Sequence, residues 1–594
     1  MSDDRQTTPR EYGFAKNFPF TDMRERQSHV LNEIATAFAS GYKYILLEAP
    51  TGFGKSPVAV AIALTLGSSY ICTATKDLQA QYSRDFPYIK VAKGKNNFIC
   101  TVKEDFIKNG TYKCGSCVSN YARECYHTMS DYGPCMTNRD FSEDRCIYRT
   151  FPKDYKVSDK GTTKEKVFID YDTETNYREK YSQWLHLKNL REDLKIWRPC
   201  EYYHQLNTAL TSSHSILNYP IFFSLLASKK GLPSRDLLIL DEAHLLETEI
   251  VKFRGLSISK RRLKKYIPKL EMADYGYDDI EKWIYFLIDL ETKILGLTGN
   301  NSMIESLSIY RKTKYNWTSK KDPRNKKKVV AASELFESDK EIAEKYDIDF
   351  FRESIGDELA VEALRDTQKL TETINSILSN PRNWIVSNIK KEDYEVVKVE
   401  FKPLDTSQYW TAVFEKCNKT LMMSATILDK DAFCTSLGLA NDKVKFIQIG
   451  SDFPLENRPI YPMNIAYLNF NSLQLQEVKT KISKTVDNLM ILHKNHKGII
   501  HTTSYEQLNF IKENISETNK RRLLVTDPEI QREEVIEEHV NTTKPTVLIS
   551  PSLHMGLDLK DNLSRFQIIT KVPYPNKSDR WIDAKRKANE QWYN

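Results

Sequence analysis

The stretch YKYILLEAPTGFGKSPVAVAIALTL, residues 42–66, leaves a chain few ways to fold. Tyr44 to Leu47 reads as a buried strand, a glycine-containing turn follows, and an apolar helical pattern runs on from it. Strand, loop and helix in that order make a phosphate-binding unit. Gly52 and Gly54 allow a tight turn that aims backbone N–H groups inward, with Pro50, Thr51 and Phe53 completing the loop. Lys55 can reach the terminal phosphates of a nucleotide, and the Ser56 hydroxyl can ligate magnesium. Pro57 would break a helix interior, but in the first turn its missing N–H leaves no bond unmade. These residues predict an α/β chain that binds ATP and Mg2+.

A second apolar strand, in RDLLILDEAHLLE, delivers Asp241 and Glu242 at its carboxyl end, where α/β sheets bind ligands. Two acidic residues after a strand are by themselves usually a helix N-cap. Beside a phosphate loop they suit a hydrolytic pair: Asp241 holds the metal through water, Glu242 orients and deprotonates the attacking water, and His244 couples the site to neighbouring segments.

The chain has 594 residues, enough for three or four domains. Its 87 Lys and Arg against 80 Asp and Glu give a net charge of +7, which fits a polyanionic partner without establishing one. The N-terminus MSDDRQTTPREYGF has no basic-then-apolar signal pattern, and no run of about 18 apolar residues occurs to span a bilayer. The expectation is a soluble intracellular protein with no membrane partner.

D-E-A-H after such a loop resembles superfamily 2 helicases, and further segments follow in that family's order. The loop begins with Ala49 where the commoner pattern has glycine, as in helicase-type loops of the form A-x-x-G-x-G-K-S. RERQ, ending at Gln27, resembles the adenine-reading segment; Thr75 and Gln79 in YICTATKDLQAQY sit where the family touches the DNA backbone. LMMSATIL, with Ser424, Ala425 and Thr426, resembles the S-A-T segment that couples hydrolysis to movement between two RecA-like lobes. GIIHTTSYEQL, around Thr503 and Ser504, and VLISPSLHMGLDLKD, with Gly556 and Asp558, resemble the second lobe's DNA-contacting and nucleotide-contacting motifs.

Seven of the ten cysteines fall between residues 100 and 200. In a reducing compartment such clusters are more often metal ligands or redox groups than disulfides. In XPD/DinG-type helicases an iron–sulfur domain is inserted after a KGRxNYxC segment and closes with CPYY; KGKNNFIC ending at Cys100 and CEYYHQL beginning at Cys200 resemble those brackets. The resemblance implies a 4Fe-4S cluster on Cys100, Cys117, Cys146 and Cys200, with Cys114, Cys125 and Cys135 as alternatives for the inner pair. Zinc remains a rival metal, and Cys125 and Cys135 could form a second site with His127. The aromatics Trp184, Trp197, Tyr202 and Tyr203 either stack unpaired bases or form the insert's own core.

From about Lys252 to Asn380 the pattern is helical and charged, where the family inserts its helical Arch domain. Lys320, Lys321, Arg324, Lys326, Lys327 and Lys328 either line a DNA passage there or form a solvated loop. The resulting division is a first RecA-like lobe from 1–95, 201–250 and 400–430, an iron–sulfur insert at 96–200, an Arch-like helical insert at 251–399, and a second RecA-like lobe from 431–594. After IITKVPYPNKSDRW no Q-x-x-G-R-x-x-R segment follows, so the second lobe reads as incomplete, lacking the arginines that in the family reach the γ-phosphate.

The expected activity is that of an ATP-dependent 5′-to-3′ DNA helicase in DNA repair, acting on single-stranded and forked DNA, with polarity taken from the resemblance. Repair- or transcription-associated protein partners and a cytoplasmic, nucleoid-associated location are implied in the same way. Two rivals stand: a non-catalytic, metal-stabilised DNA-binding protein that keeps its ATP pocket, and an RNA helicase.

Overall fold

The computed structural model describes residues 13–94, 97–98, 201–227, 231–297, 299, 301–315, 357–451, 454–457, 459–468, 471–526, 532–551, 553, 559, 561–572, 575 and 577–593. The chain divides into two compact units, Met1–Ser451 with Lys577–Asn594, and Asp452–Asn576.

The strands of the first unit are β1 (Tyr44–Glu48), β2 (Ser69–Thr73), β3 (Lys90–Ala92), β4 (His214–Asn218), β5 (Arg235–Asp241), β6 (Leu256–Ser259), β7 (Trp384–Glu392), β8 (Glu395–Pro403), β9 (Cys417–Ser424) and β10 (Val444–Gln448). Seven of them form a parallel sheet in the order β10-β1-β9-β5-β2-β4-β3. Leu46, Leu47, Ile71, Leu238, Ile239, Leu421 and Met422 are fully buried, because helices cover both faces and strands between two layers read as continuous apolar runs. One face packs on helices α1 (Glu25–Ala39) and α2 (Lys55–Leu66), through Val30, Leu31, Ile34, Phe38, Val58 and Ile62. The opposite face packs on Phe222, Phe223, Trp410 and Phe414. Helix α3 (Lys76–Asp85) follows β2.

This sheet draws in a segment that the sequence reading gave to the second lobe. Strand β10, beyond residue 430, pairs in parallel with β1 from Tyr44↔Val444 to Glu48↔Gln448. The helix Arg580–Ala588 also belongs to the first unit, where the Trp581 indole donates to the Pro403 carbonyl at 2.8 Å and the Trp592 indole to Glu247 Oε2 at 2.7 Å.

Between β5 and β9 lies a separate hydrophobic core. The helices Ile280–Gly296 and Asp357–Ser379 pack Trp283, Leu287, Leu290, Ile294, Leu370, Ile374 and Ile377 together, with Asn301–Tyr315 alongside. Inside it Arg311 donates to both carboxylate oxygens of Glu291, and Thr371 donates to the same carboxylate, so the buried charges are paired and hydrogen-bonded. The segment is not purely helical, as the sequence suggested: β6, β8 and β7 form an antiparallel sheet that carries Val386, Val399 and Phe401 into this core. The β7–β8 turn places Asp393 and Tyr394 at φ 47° and 65°, both left-handed, the twist that suits a tight hairpin.

The second unit is a parallel sheet in the order β12-β13-β11-β14, from β11 (Gly498–His501), β12 (Leu523–Val525), β13 (Val547–Ser550) and β14 (Phe566–Ile569). Its core joins Ile500, Val547 and Ile549 to Ile482, Val486 and Met490 of the helix Gln476–Leu492. The Lys497 ammonium donates to the His539 and Thr542 carbonyls at the end of the helix Arg532–Asn541, satisfying groups that a helix C-terminus leaves unpaired. Among the described residues no helix is long and apolar enough to cross a membrane.

Candidate active site

The loop between β1 and α2 takes its shape from two left-handed glycines. Gly52 and Gly54 have φ of 81° and 87°, and a Cβ at Gly54 would collide with the Gln27 amide. Gly54 is the N-cap residue of α2, so Lys55 and Ser56 open the helix, whose amino end favours negative charge. Gln27 is buried and braces the loop from α1, donating to the Phe53 carbonyl at 2.8 Å while its own carbonyl accepts from Arg24 N at 2.9 Å. The Arg24 guanidinium holds the Gly52 carbonyl at 2.6 Å. Pro50 closes the turn by accepting from Phe53 N, and Thr51 is exposed. The Lys55 ammonium folds back onto the Ala49 carbonyl at 2.9 Å; burial lowers its pKa, and the Asp241 and Glu242 carboxylates oppose that shift.

β5 ends beside this loop. Asp241 is buried, with Oδ2 accepting from the Tyr82 hydroxyl at 2.9 Å and Oδ1 from Glu242 N at 3.0 Å. Burial and the neighbouring Glu242 push its pKa up to about 6 despite those hydrogen bonds. Glu242 sits at φ 54°, a left-handed conformation unusual for a residue with a side chain, and burial raises its pKa too. His244 Nδ1 lies 3.3 Å from Glu242 Oε2 and 2.8 Å from Ser424 Oγ. Burial keeps this imidazole below its ordinary pKa, so at neutral pH it is an uncharged link. Ser424 Oγ in turn contacts the Thr426 carbonyl and accepts from Thr426 N at 3.2 Å. Glu48, at the end of β1, accepts from Ile427 N and Leu428 N, tying the segment after β9 to the phosphate loop's own strand.

The sequence therefore nominates Gln27, the loop residues, Lys55, Ser56, Asp241, Glu242 and His244, and the fold brings them together. It took Arg24 only as the first residue of the RERQ segment and did not single out Glu48 or Tyr82, whose contacts cross between elements and leave no mark on local pattern. Gln79, read as a DNA-backbone contact, is instead buried, its amide donating to the Ala92 carbonyl at 2.8 Å. Thr75 caps α3 by accepting from Leu78 N at 3.2 Å. In the second unit Ser504 likewise caps the helix Tyr505–Asn514, and Thr503 N donates to the Gln507 carbonyl at 2.9 Å.

Ser56, in the first turn of α2, and Asp241, at the end of β5, offer a hydroxyl and a carboxylate, a hard-oxygen pair suited to Mg2+. Gly556, Asp558, Lys320 to Lys328 and all seven cysteines from Cys100 to Cys200 lie outside the described residues. The ends of that excursion do meet: Gln205 exchanges hydrogen bonds with Lys93 N and O at 2.8 and 3.0 Å, and the Phe98 and Tyr202 rings lie 6.0 Å apart. Cys72, Cys417 and Cys434 are buried free thiols, and no group of three or more metal-ligating side chains forms among the described residues.

The helicase C-terminal domain family matches residues 488–594. Over 573 residues the chain is 22% identical to the ATP-dependent DNA helicase YoaA of Haemophilus influenzae, covering 91% of this chain and 80% of that protein. A solved XPD helicase structure superposes with a TM-score of 0.50 at 14% identity, covering 97% of this chain and 91% of that one.

Proposed function

We infer that the chain, an XPD/DinG-type superfamily 2 helicase by motif order and fold, is an ATP-hydrolysing DNA helicase. One observation carries the reading: the phosphate loop, the Asp241–Glu242 pair and the Ser424–Thr426 segment form a contiguous set through His244. In this account Lys55 leaves the Ala49 carbonyl and neutralises the terminal phosphates, and Ser56 and Asp241 are the residues that would hold Mg2+. When bound, Mg2+ would supply neutralisation of the charge that develops on the transferring phosphoryl group. Glu242, its proton affinity raised by burial, takes a proton from the attacking water. His244 reports the state of Glu242 to Ser424 and Thr426, and that segment couples hydrolysis to movement of the two RecA-like lobes.

Movement runs 5′ to 3′ on single-stranded DNA, and the forked junction is the substrate in DNA repair. Cys100, Cys117, Cys146 and Cys200 are the residues that would hold a 4Fe-4S cluster, which would staple the insert at 96–200, and the helical region before β7 serves as the Arch. The closed base of the insert, where Gln205 grips Lys93, supports a shared site for its first and last cysteines. Cys200→Ser is expected to abolish visible absorbance and strand displacement while leaving most ATP turnover. A colourless wild-type chain that still unwinds DNA would remove the cluster from the account.

Strand displacement tests the whole proposal, with one duplex carrying a 5′ single-stranded overhang and another a 3′ overhang. The 5′ substrate alone should be unwound in the presence of ATP. Unwinding of only the 3′ substrate would reverse the assigned polarity, and ATP turnover with neither strand displaced would contradict the unwinding role.

A further inference from the structure

Tyr82 lies in the last turn of α3 and is 1% exposed, its ring packed on Phe86 with centroids 5.8 Å apart. A phenol so deep in an apolar layer needs a partner for its hydroxyl, and the Asp241 carboxylate supplies it. It donates to Asp241 Oδ2 at 2.9 Å. Asp241 Oδ1 is already engaged by Glu242 N, so the two hydrogen bonds fix both carboxylate oxygens.

We propose that Tyr82 is a positioning residue for the divalent-cation site, fixing the Asp241 carboxylate before the ion binds. This rests on the reading of the loop as a Mg2+–nucleotide site. Hydrogen-bond partners of metal-ligating carboxylates fix ligand orientation, and their removal typically weakens metal binding about 10- to 100-fold. α3 thereby becomes part of the nucleotide site although none of its residues lies in the phosphate loop or in D-E-A-H.

The test is equilibrium binding of a fluorescent ADP analogue to the full chain over a Mg2+ titration that starts in EDTA. Tyr82→Phe, which removes only the oxygen, should need about tenfold more Mg2+ for the half-maximal gain in affinity, with the melting temperature kept. Phe86→Leu controls for packing: it should lower the melting temperature and keep the wild-type Mg2+ requirement. A wild-type Mg2+ requirement in Tyr82→Phe would overturn the inference. So would an equal shift in Phe86→Leu, or a loss in Tyr82→Phe already complete in EDTA. If the wild-type chain binds no nucleotide with or without Mg2+, the nucleotide reading itself falls and this inference with it.

Discussion

Glu242→Gln should lower ATP turnover by roughly 10²- to 10⁴-fold, the usual worth of a positioned general base, while nucleotide binding survives. Glutamine keeps the volume and the backbone donor to Asp241 Oδ1, so the left-handed residue at φ 54° has no new reason to move. What it loses is the capacity to accept a proton, which burial has strengthened in the native carboxylate. Single-turnover hydrolysis beside equilibrium binding of an ATP analogue separates the two effects. Retention of turnover would take Glu242 out of water activation; loss of binding would show that the carboxylate is needed to shape the pocket.

Lys55→Ala should abolish both measurable turnover and stabilisation by nucleotide. Its ammonium is the cation of the phosphate loop, held by loop carbonyls at 2.9 and 3.5 Å, and an alanine there leaves the phosphates without it. Removing a partly buried cation does not by itself unfold the lobe, because the core beneath is apolar and covered on both faces. Ligand linkage gives the readout: a nucleotide at 100 times its dissociation constant stabilises a native protein by about 2.7 kcal/mol. Melting curves with an ATP analogue and Mg2+ should rise for the wild type and stay flat for the variant. An equal rise in both would place the phosphates elsewhere.

The residues that chemistry demands were legible because their spacing is local. The glycines, Lys55 and Ser56 occupy consecutive positions whose roles require that order, and Asp241 and Glu242 follow a strand whose apolar run marks it as buried. What reached across the chain was not legible. β10, VKFIQ, is a sheet-edge strand with two buried residues, and nothing in it names β1 as its neighbour. The β7–β8 hairpin turns on Asp393 and Tyr394, where the sequence offers no glycine or asparagine to advertise left-handed backbone. Gln79 has the polarity of a contact residue, and only the tertiary position of the Ala92 carbonyl turns it into a buried brace. The link from His244 to Ser424 spans 180 residues; the motif order implied coupling between these segments, and the fold supplies the hydrogen bond.

The central claim is an ATP-driven motor on DNA, and the most direct test is steady-state ATP hydrolysis by the chain, purified without oxygen, with and without single-stranded DNA. The account predicts turnover that rises when single-stranded DNA is added and rises less with RNA. Binding of ATP without hydrolysis under either condition, or hydrolysis indifferent to DNA, would contradict it.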